Sequence, residues 1–162
     1  FWTSVGLGFA LLCAVVYGLG MEFGLIIGGV LLLVSGFFDM VDGQVARVTG
    51  KTSQKGEYID SMFDKIAEVA IFLGILVGGY AEPYLVFLAI TLSLLVSYAR
   101  AKSDIIKVKL QGIGIGERAE RLLVIAFIGI IGFMEYAVII VVIIAAITLV
   151  QRMIVTTKNI KE

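Results

Sequence analysis

The sequence predicts an all-α polytopic membrane protein with six transmembrane helices and both termini in the cytoplasm. Three observations carry this prediction. Of 162 residues, 60% are hydrophobic and 16% charged, and the mean hydropathy is +1.06, well outside the range of water-soluble domains. Apolar stretches recur along the whole chain, each near the roughly 20 residues that cross bilayer hydrocarbon, so they read as spans and not as one leading signal. The connections between them alternate between acidic and basic.

Hydropathy read against its breaks places the elements in order. The first span runs from Trp2 to Leu19, and the second from Phe23 to Val48, with a Gly24/Gly28 step early and acidic residues late. The third, Gly56 to Tyr80, opens on a second acidic group and carries a Gly74/Gly78 step. Such small-residue steps let membrane helices approach closely, and packing is their plain reading. The fourth, Pro83 to Lys102, opens on the only proline, where a missing N–H costs nothing. The fifth, Glu117 to Phe133, and the sixth, Tyr136 to Thr156, complete the set. Trp2, Tyr17, Tyr80 and Tyr98 read as interfacial anchors.

Loop charge checks the count. Three connections contain Glu22, Glu82 and Glu135 and no Lys or Arg, while all 13 basic residues fall on the other side or on helix ends reaching it. By the positive-inside rule that side is cytoplasmic, and the number of spans is even. A net charge of zero therefore hides a vectorial asymmetry, which fits an inner membrane face and not a nucleic-acid surface. With no low-complexity linker, residues 1–162 read as one domain of an integral cell-membrane protein. Because Phe1 and Trp2 enter the first span at once, further residues are expected ahead of it.

The chain has no His, and its single Cys, Cys13, lies in the first span. Disulfides, Cys/His zinc sites and histidine acid–base chemistry are excluded, and Cys13 reads as a small packing residue. Any chemistry rests on carboxylates and basic groups. They concentrate in Asp39-Met-Val-Asp42-Gly43-Gln-Val-Ala46-Arg47 and, after eight residues, in Gly56-Glu-Tyr-Ile-Asp60-Ser-Met-Phe-Asp64.

Asp39 and Asp42 are i,i+3 neighbours, with Gly43, Ala46 and Arg47 continuing their face; Gly56, Asp60 and Asp64 form a stripe of period four. A short connection is expected to set these two helices antiparallel and side by side, with the stripes facing. Four clustered carboxylates cannot all remain ionised near hydrocarbon without a cation between them. Oxygen-only ligands favour a hard ion, Mg²⁺ with Mn²⁺ or Ca²⁺ as substitutes, and four carboxylates could hold two ions. Arg47 follows Asp39 by a helical rise of about 12 Å, so the site lies just below the cytoplasmic interface, at headgroup depth. The plain alternative is a set of salt-bridged helix-end charges.

The pattern D-x2-D-G-x2-A-R-x8-G-x3-D-x3-D resembles the signature of the CDP-alcohol phosphotransferase family, the CDP-alcohol phosphatidyltransferases, with eight fixed residues matched across 26 positions. The resemblance implies a six-span fold and a displacement in which an acceptor hydroxyl attacks the β-phosphorus of a CDP-linked lipid, CDP-diacylglycerol or CDP-archaeol, and CMP leaves. Carried over, Asp39, Asp42, Asp60 and Asp64 become metal ligands, with Asp64 also the general base. Gly43, Ala46, Thr52 and Gly56, together with Asp39, Asp42 and Asp60, become the CDP-binding set, and Arg47 holds the diphosphate. A homodimer is implied by the same resemblance.

A second polar cluster comprises Ser97-Tyr-Ala-Arg100-Ala-Lys102, then Glu117-Arg118-Ala-Glu120-Arg121, with Arg152 near the end of the sixth span. Lys107, Lys109, Lys158 and Lys161 read as inner-face anchors. Arg118 and Arg121 stand in a first helical turn, where the macrodipole disfavours cations and an anionic ligand would offset the cost. This cluster resembles the inositol-phosphate-using branch of the family, the phosphatidylinositol-phosphate and archaetidylinositol-phosphate synthases. That resemblance implies an acceptor site of Ser97, Arg100, Lys102, Arg118 and Arg152. Glycerol 3-phosphate, serine or another polyol are the alternative acceptors. Gly112-Ile-Gly114-Ile-Gly116 reads as a flexible loop that could cradle a phosphate. A divalent-cation transporter is the competing class; against it, no acidic residue continues to the far side and no inverted repeat is evident.

Overall fold

A computed structural model describes residues 2–49, 53–110 and 112–160, excepting side chains 2, 42, 43 and 45–49. Among them are six helices: α1 (Trp2–Gly18), α2 (Gly24–Thr49), α3 (Gln54–Val77), α4 (Pro83–Ile105), α5 (Arg118–Ile130) and α6 (Met134–Asn159). All six fall within a few residues of the predicted spans.

The three acidic-side connections share one device. Gly20, Gly79 and Gly132 each take a positive φ just beyond a helix end. At Gly79 and Gly132 the next N–H reaches back, Tyr80 to the Ile75 carbonyl and Phe133 to that of Ile128, closing a tight left-handed cap. These caps turn the chain back sharply, which keeps successive helices neighbours. Pro83 stands in the first turn of α4, as its sequence position requires.

Helix α1 packs against both α2 and α3, α2 against α5, α5 against α6, α6 against α4, and α4 against α3. The expectation that α2 and α3 lie side by side is therefore corrected: among the described residues both pack most extensively on α1 and not on each other. The reason is the small-residue face of α3. A Cβ at Gly74 would strike the backbone of Ala14, and one at Gly78 the carbonyl of Tyr17, so these glycines let α1 close onto α3. Gly28 likewise admits the Tyr17 ring.

Cys13 is fully buried, as expected of a packing residue. Tyr17 is not an interfacial anchor: it is fully buried in the same core as Ile71, Phe72 and Ile75, edge-on to Tyr80 at a centroid distance of 6.2 Å. Tyr98 remains exposed.

Three helical segments are long and apolar enough to cross a membrane by themselves: Gly24–Val41, Pro83–Ile105 and Met134–Asn159. The apolar stretch Thr3–Gly18 is shorter, α5 has 13 residues, and α3 carries charged groups through its first half. Large apolar side chains such as Val77, Phe87, Ile105 and Phe127 face outward. That is the surface of a multi-pass membrane protein, not of a water-soluble bundle.

Gly74→Val is expected to destabilise the protein by about 1–3 kcal/mol, because the added atoms meet backbone that cannot turn aside. Thermal unfolding in detergent checks this, with Gly8→Ala as the control that should not lower the midpoint, since no atom lies within 4 Å of its added Cβ.

Candidate active site

The site is assembled where the basic-side ends of α2, α3, α4, α5 and α6 meet. Ser53 caps α3, its Oγ accepting the Gly56 N–H at 3.0 Å, with Glu57 in the first turn. Gly56 thus belongs to the capping turn and is exposed. One and two turns on, Asp60 and Asp64 share a face. Asp39 comes from α2, which is clasped to α1 by Ser35 Oγ donating to the Gly6 carbonyl at 2.8 Å and by Phe38 stacking on Phe9.

Asp39, Asp60 and Asp64 each offer a carboxylate oxygen within 4.8 Å of the others. Three of the four predicted ligands therefore converge. The side chains of Asp42, Gly43, Ala46 and Arg47, and Thr52 as a whole, lie outside the described residues. An oxygen-only donor set this tight fits a hard divalent cation.

Arg118 crosses to this cluster from the first turn of α5. Its Nη1 donates to Asp39 Oδ2 at 2.8 Å and stands 2.6 Å from Asp64 Oδ1. One turn deeper, Arg121 Nε and Nη2 donate to Glu68 Oε1 at 2.9 and 2.6 Å, and its Nη1 to the Gly116 carbonyl at 2.5 Å. Both side chains of this pair are 1% exposed. The unfavourable cations at the start of α5 are thus offset by protein carboxylates. Glu68 also carries the acidic stripe of α3 one turn deeper than the sequence reading allowed, and the ion pair closes it there.

Arg152 ties down the α4–α5 connection, its Nε donating to the Ile113 carbonyl at 3.2 Å and its Nη1 to that of Val96 at 2.9 Å. Gly114 and Gly116 press against Thr148 of α6 too closely for a side chain. The predicted flexible loop is a bound one.

A cleft of about 440 Å³ unites both predicted clusters: Asp39, Asp60 and Asp64 line it together with Ser97, Arg100, Arg118 and Arg152. Lys102 does not line it. On α4 the cleft is met by Ser97, Arg100, Ala101 and Asp104, one helical face, and a residue at 102 points off that face. Lys102 stands instead in the last turn, where a cation complements the helix dipole. Glu57, Ser61, Lys65, Asp104 and Glu117 also line the cleft; of these, Ser61, Lys65 and Asp104 are legible only as neighbours of the predicted motifs.

A second, apolar groove of about 400 Å³ runs between α2 and α5, past Leu32, Phe37, Met40, Leu122 and Ala126. Asp39 and Arg118 line both cavities. The arrangement offers adjoining places for an apolar chain, a cation and an anionic polar group.

Residues 4–156 match the family described as CDP-alcohol phosphatidyltransferase. The chain belongs to that family. Among its relatives, the archaetidylinositol phosphate synthase of Methanothermobacter thermautotrophicus is 34% identical over 160 residues, covering 95% of this chain and 81% of that one. The synthase of the same name from Pyrococcus horikoshii is 35% identical over 127 residues, 78% and 68% of the two chains. The fold is that of the Mycobacterium tuberculosis phosphatidylinositol phosphate synthase. Its structure with CDP-DAG bound gives a TM-score of 0.80 at 22% identity, covering 96% of this chain and 84% of that one. Its complex with manganese and citrate gives 0.84 at 22% identity, covering 96% and 80%. The protein is thus a CDP-alcohol phosphotransferase, and membership of the family sets the transporter reading aside.

In this CDP-alcohol phosphotransferase, breaking the Glu68–Arg121 pair by Glu68→Gln is expected to cost about 3–5 kcal/mol, since a buried guanidinium loses its counter-charge. Replacing both residues with Met should recover much of that loss. Denaturation midpoints of the single and double variants in detergent decide it.

Proposed function

We propose that the enzyme makes an inositol-phosphate lipid, transferring a phosphatidyl-type group from a CDP-linked lipid to inositol phosphate with release of CMP. The observation that carries the reading is the single cleft in which the aspartates meet Ser97, Arg100, Arg118 and Arg152. A phosphorylated polyol fits there, its phosphate toward the guanidinium groups and its hydroxyls toward Ser97. The named relatives, which are archaetidylinositol and phosphatidylinositol phosphate synthases, support the same acceptor.

Asp39, Asp42 and Asp60, with Asp64, would hold Mg²⁺ or Mn²⁺, in one or two ions; three of these carboxylates fit such an ion by donor type and spacing. A bound divalent cation would neutralise charge on the diphosphate. The manganese complex of the mycobacterial synthase agrees with that choice. Gly43, Ala46, Thr52, Gly56 and Arg47 complete the CDP site on the strength of the matched motif.

Asp64 takes the proton of the acceptor hydroxyl. The hydroxyl oxygen forms the new bond to the lipid's β-phosphorus, and the bond from that phosphorus to CMP breaks. The apolar groove along α2 and α5 receives a donor chain while Asp39 and Arg118, at its mouth, face the phosphates. All six helices, as one domain, cross the cell membrane. The basic residues gathered on one side support a cytoplasmic cleft and cytoplasmic termini by the positive-inside rule. Pairing as a homodimer rests on the family resemblance.

Asp64→Asn is expected to lower turnover by about 10²–10⁴-fold while CDP-diacylglycerol binding survives. CMP release and lipid binding measured on one preparation test this, and near-normal turnover would remove Asp64 as the base. Arg100→Ala should raise the KM for inositol phosphate at least tenfold, about 1.4 kcal/mol, with a smaller effect on kcat. Mass spectrometry of products from CDP-diacylglycerol and CDP-archaeol against inositol phosphate, glycerol 3-phosphate and serine tests the acceptor. A product from serine or glycerol 3-phosphate in preference to inositol phosphate would overturn the assignment.

A further inference from the structure

Arg118 holds a position that its role as an anion ligand does not explain. One nitrogen, Nη1, lies 2.8 Å from Asp39 Oδ2 and 2.6 Å from Asp64 Oδ1. These are two of the three carboxylates whose oxygens lie within 4.8 Å of one another. A divalent ion bound by those oxygens needs them at about 2.0–2.2 Å, on the ground the N–H group occupies. Guanidinium does not lose its proton in proteins, so it leaves only by moving.

The backbone beneath it is held. Arg121 is bound to Glu68 and to the Gly116 carbonyl, and the Glu120 carboxylate accepts the Glu117 N–H at 2.8 Å. Movement is therefore confined to the Arg118 side chain. The cleft is the polar space beside it, and Arg100 and Arg152 already line that cleft. Carboxylates of Glu57, Asp104 and Glu117 also line it, so the released guanidinium stays in a mixed lining, and an anion held between the three arginines stabilises it there.

We propose that Arg118 is an internal stand-in cation that couples the two halves of the site. It neutralises Asp39 and Asp64 before the divalent ion arrives, and is released by that ion toward the cleft, where it completes an anion site with Arg100 and Arg152. The inference rests on the metal and acceptor assignments proposed above and adds linkage between them. Because linkage is reciprocal, an anion that engages Arg118 must tighten metal binding by the factor with which metal tightens the anion. Arg118 is thus a positioning residue for the order in which the site fills.

The test is Mn²⁺ binding to the purified protein without CDP-lipid, followed by the electron paramagnetic resonance of free Mn²⁺, with and without inorganic phosphate. In the unmodified protein phosphate is expected to tighten Mn²⁺ binding about tenfold. Arg118→Gln is expected to bind Mn²⁺ about tenfold tighter without phosphate, having lost the competitor, and to show no phosphate effect. Arg118→Gln that binds Mn²⁺ no tighter, or that keeps the phosphate effect, overturns the proposal. Should that variant not fold, the unmodified protein decides alone, and Mn²⁺ binding indifferent to phosphate overturns it. Asp39→Asn separates the two ideas. If the unmodified protein binds no Mn²⁺, or Asp39→Asn binds it equally well, the metal assignment itself fails. If Asp39→Asn abolishes binding and Arg118→Gln changes nothing, only the coupling fails.

Discussion

The ion pair between Glu68 and Arg121 is the contact on which the site is built. Both side chains are almost fully buried, in a region where two unpaired charges would each cost several kcal/mol, roughly, and where neither water nor a hydrophobic force between helices helps. The pair therefore constrains α3 and α5 in register. With Arg121 fixed, Arg118 falls one turn nearer the interface, opposite Asp64, and the stripe of period four on α3 meets its counterpart on α5 rung by rung. The same guanidinium holds the Gly116 carbonyl, so the loop that enters α5 is set by it as well.

The remaining helices are arranged by close approach. Glycines on α3 admit the backbone of α1, and glycines on the α4–α5 connection admit Thr148 of α6. Van der Waals contact at such places substitutes for the hydrophobic effect that bilayer lipid removes. Arg152 adds a charged version of the same function by donating to carbonyls of two different segments. Two of its donor nitrogens are thereby spent on architecture. Its remaining nitrogen, Nη2, lies 3.9 Å from Glu117, at the edge of the cleft.

The fold was legible in the sequence because hydropathy and loop charge both vary on the scale of a whole span. Asp60 and Asp64 were legible as one helical face by their spacing of four, whereas Asp39 reaches them from α2 without the side-by-side packing of α2 and α3 that the sequence led one to expect. What the sequence concealed lies between helices. Glu68 continues the Gly56, Asp60, Asp64 spacing by four, yet its burial depends on Arg121, fifty-three positions away, so nothing local distinguishes it from a surface acid. Tyr17 looked interfacial because it sits near a span end, but Gly28 and Gly78 open space for it in the core. Lys102 shared a motif with Ser97 and Arg100 and still misses the cleft, since sequence adjacency on a helix is separated by about 100° per residue. Likewise, α1 intervenes against α2 and α3 because small residues on α3 attract it, a preference the length of the intervening connection cannot reveal.

Asp39 and Arg118 stand where the apolar groove and the polar cleft adjoin, one on each of two helices, α2 and α5, that pack together. A transferase that joins a lipid to a water-soluble alcohol needs such a junction. The donor's chains must remain in an apolar phase while its phosphorus reaches an acceptor held by charge, and an acid–base pair at the boundary serves both. Asp39 comes from the helix that forms the groove, Asp64 from the helix that forms the cleft, and Arg118 touches both. A side-chain movement of Arg118 would therefore bear on the groove and the cleft together, because the residue lines both.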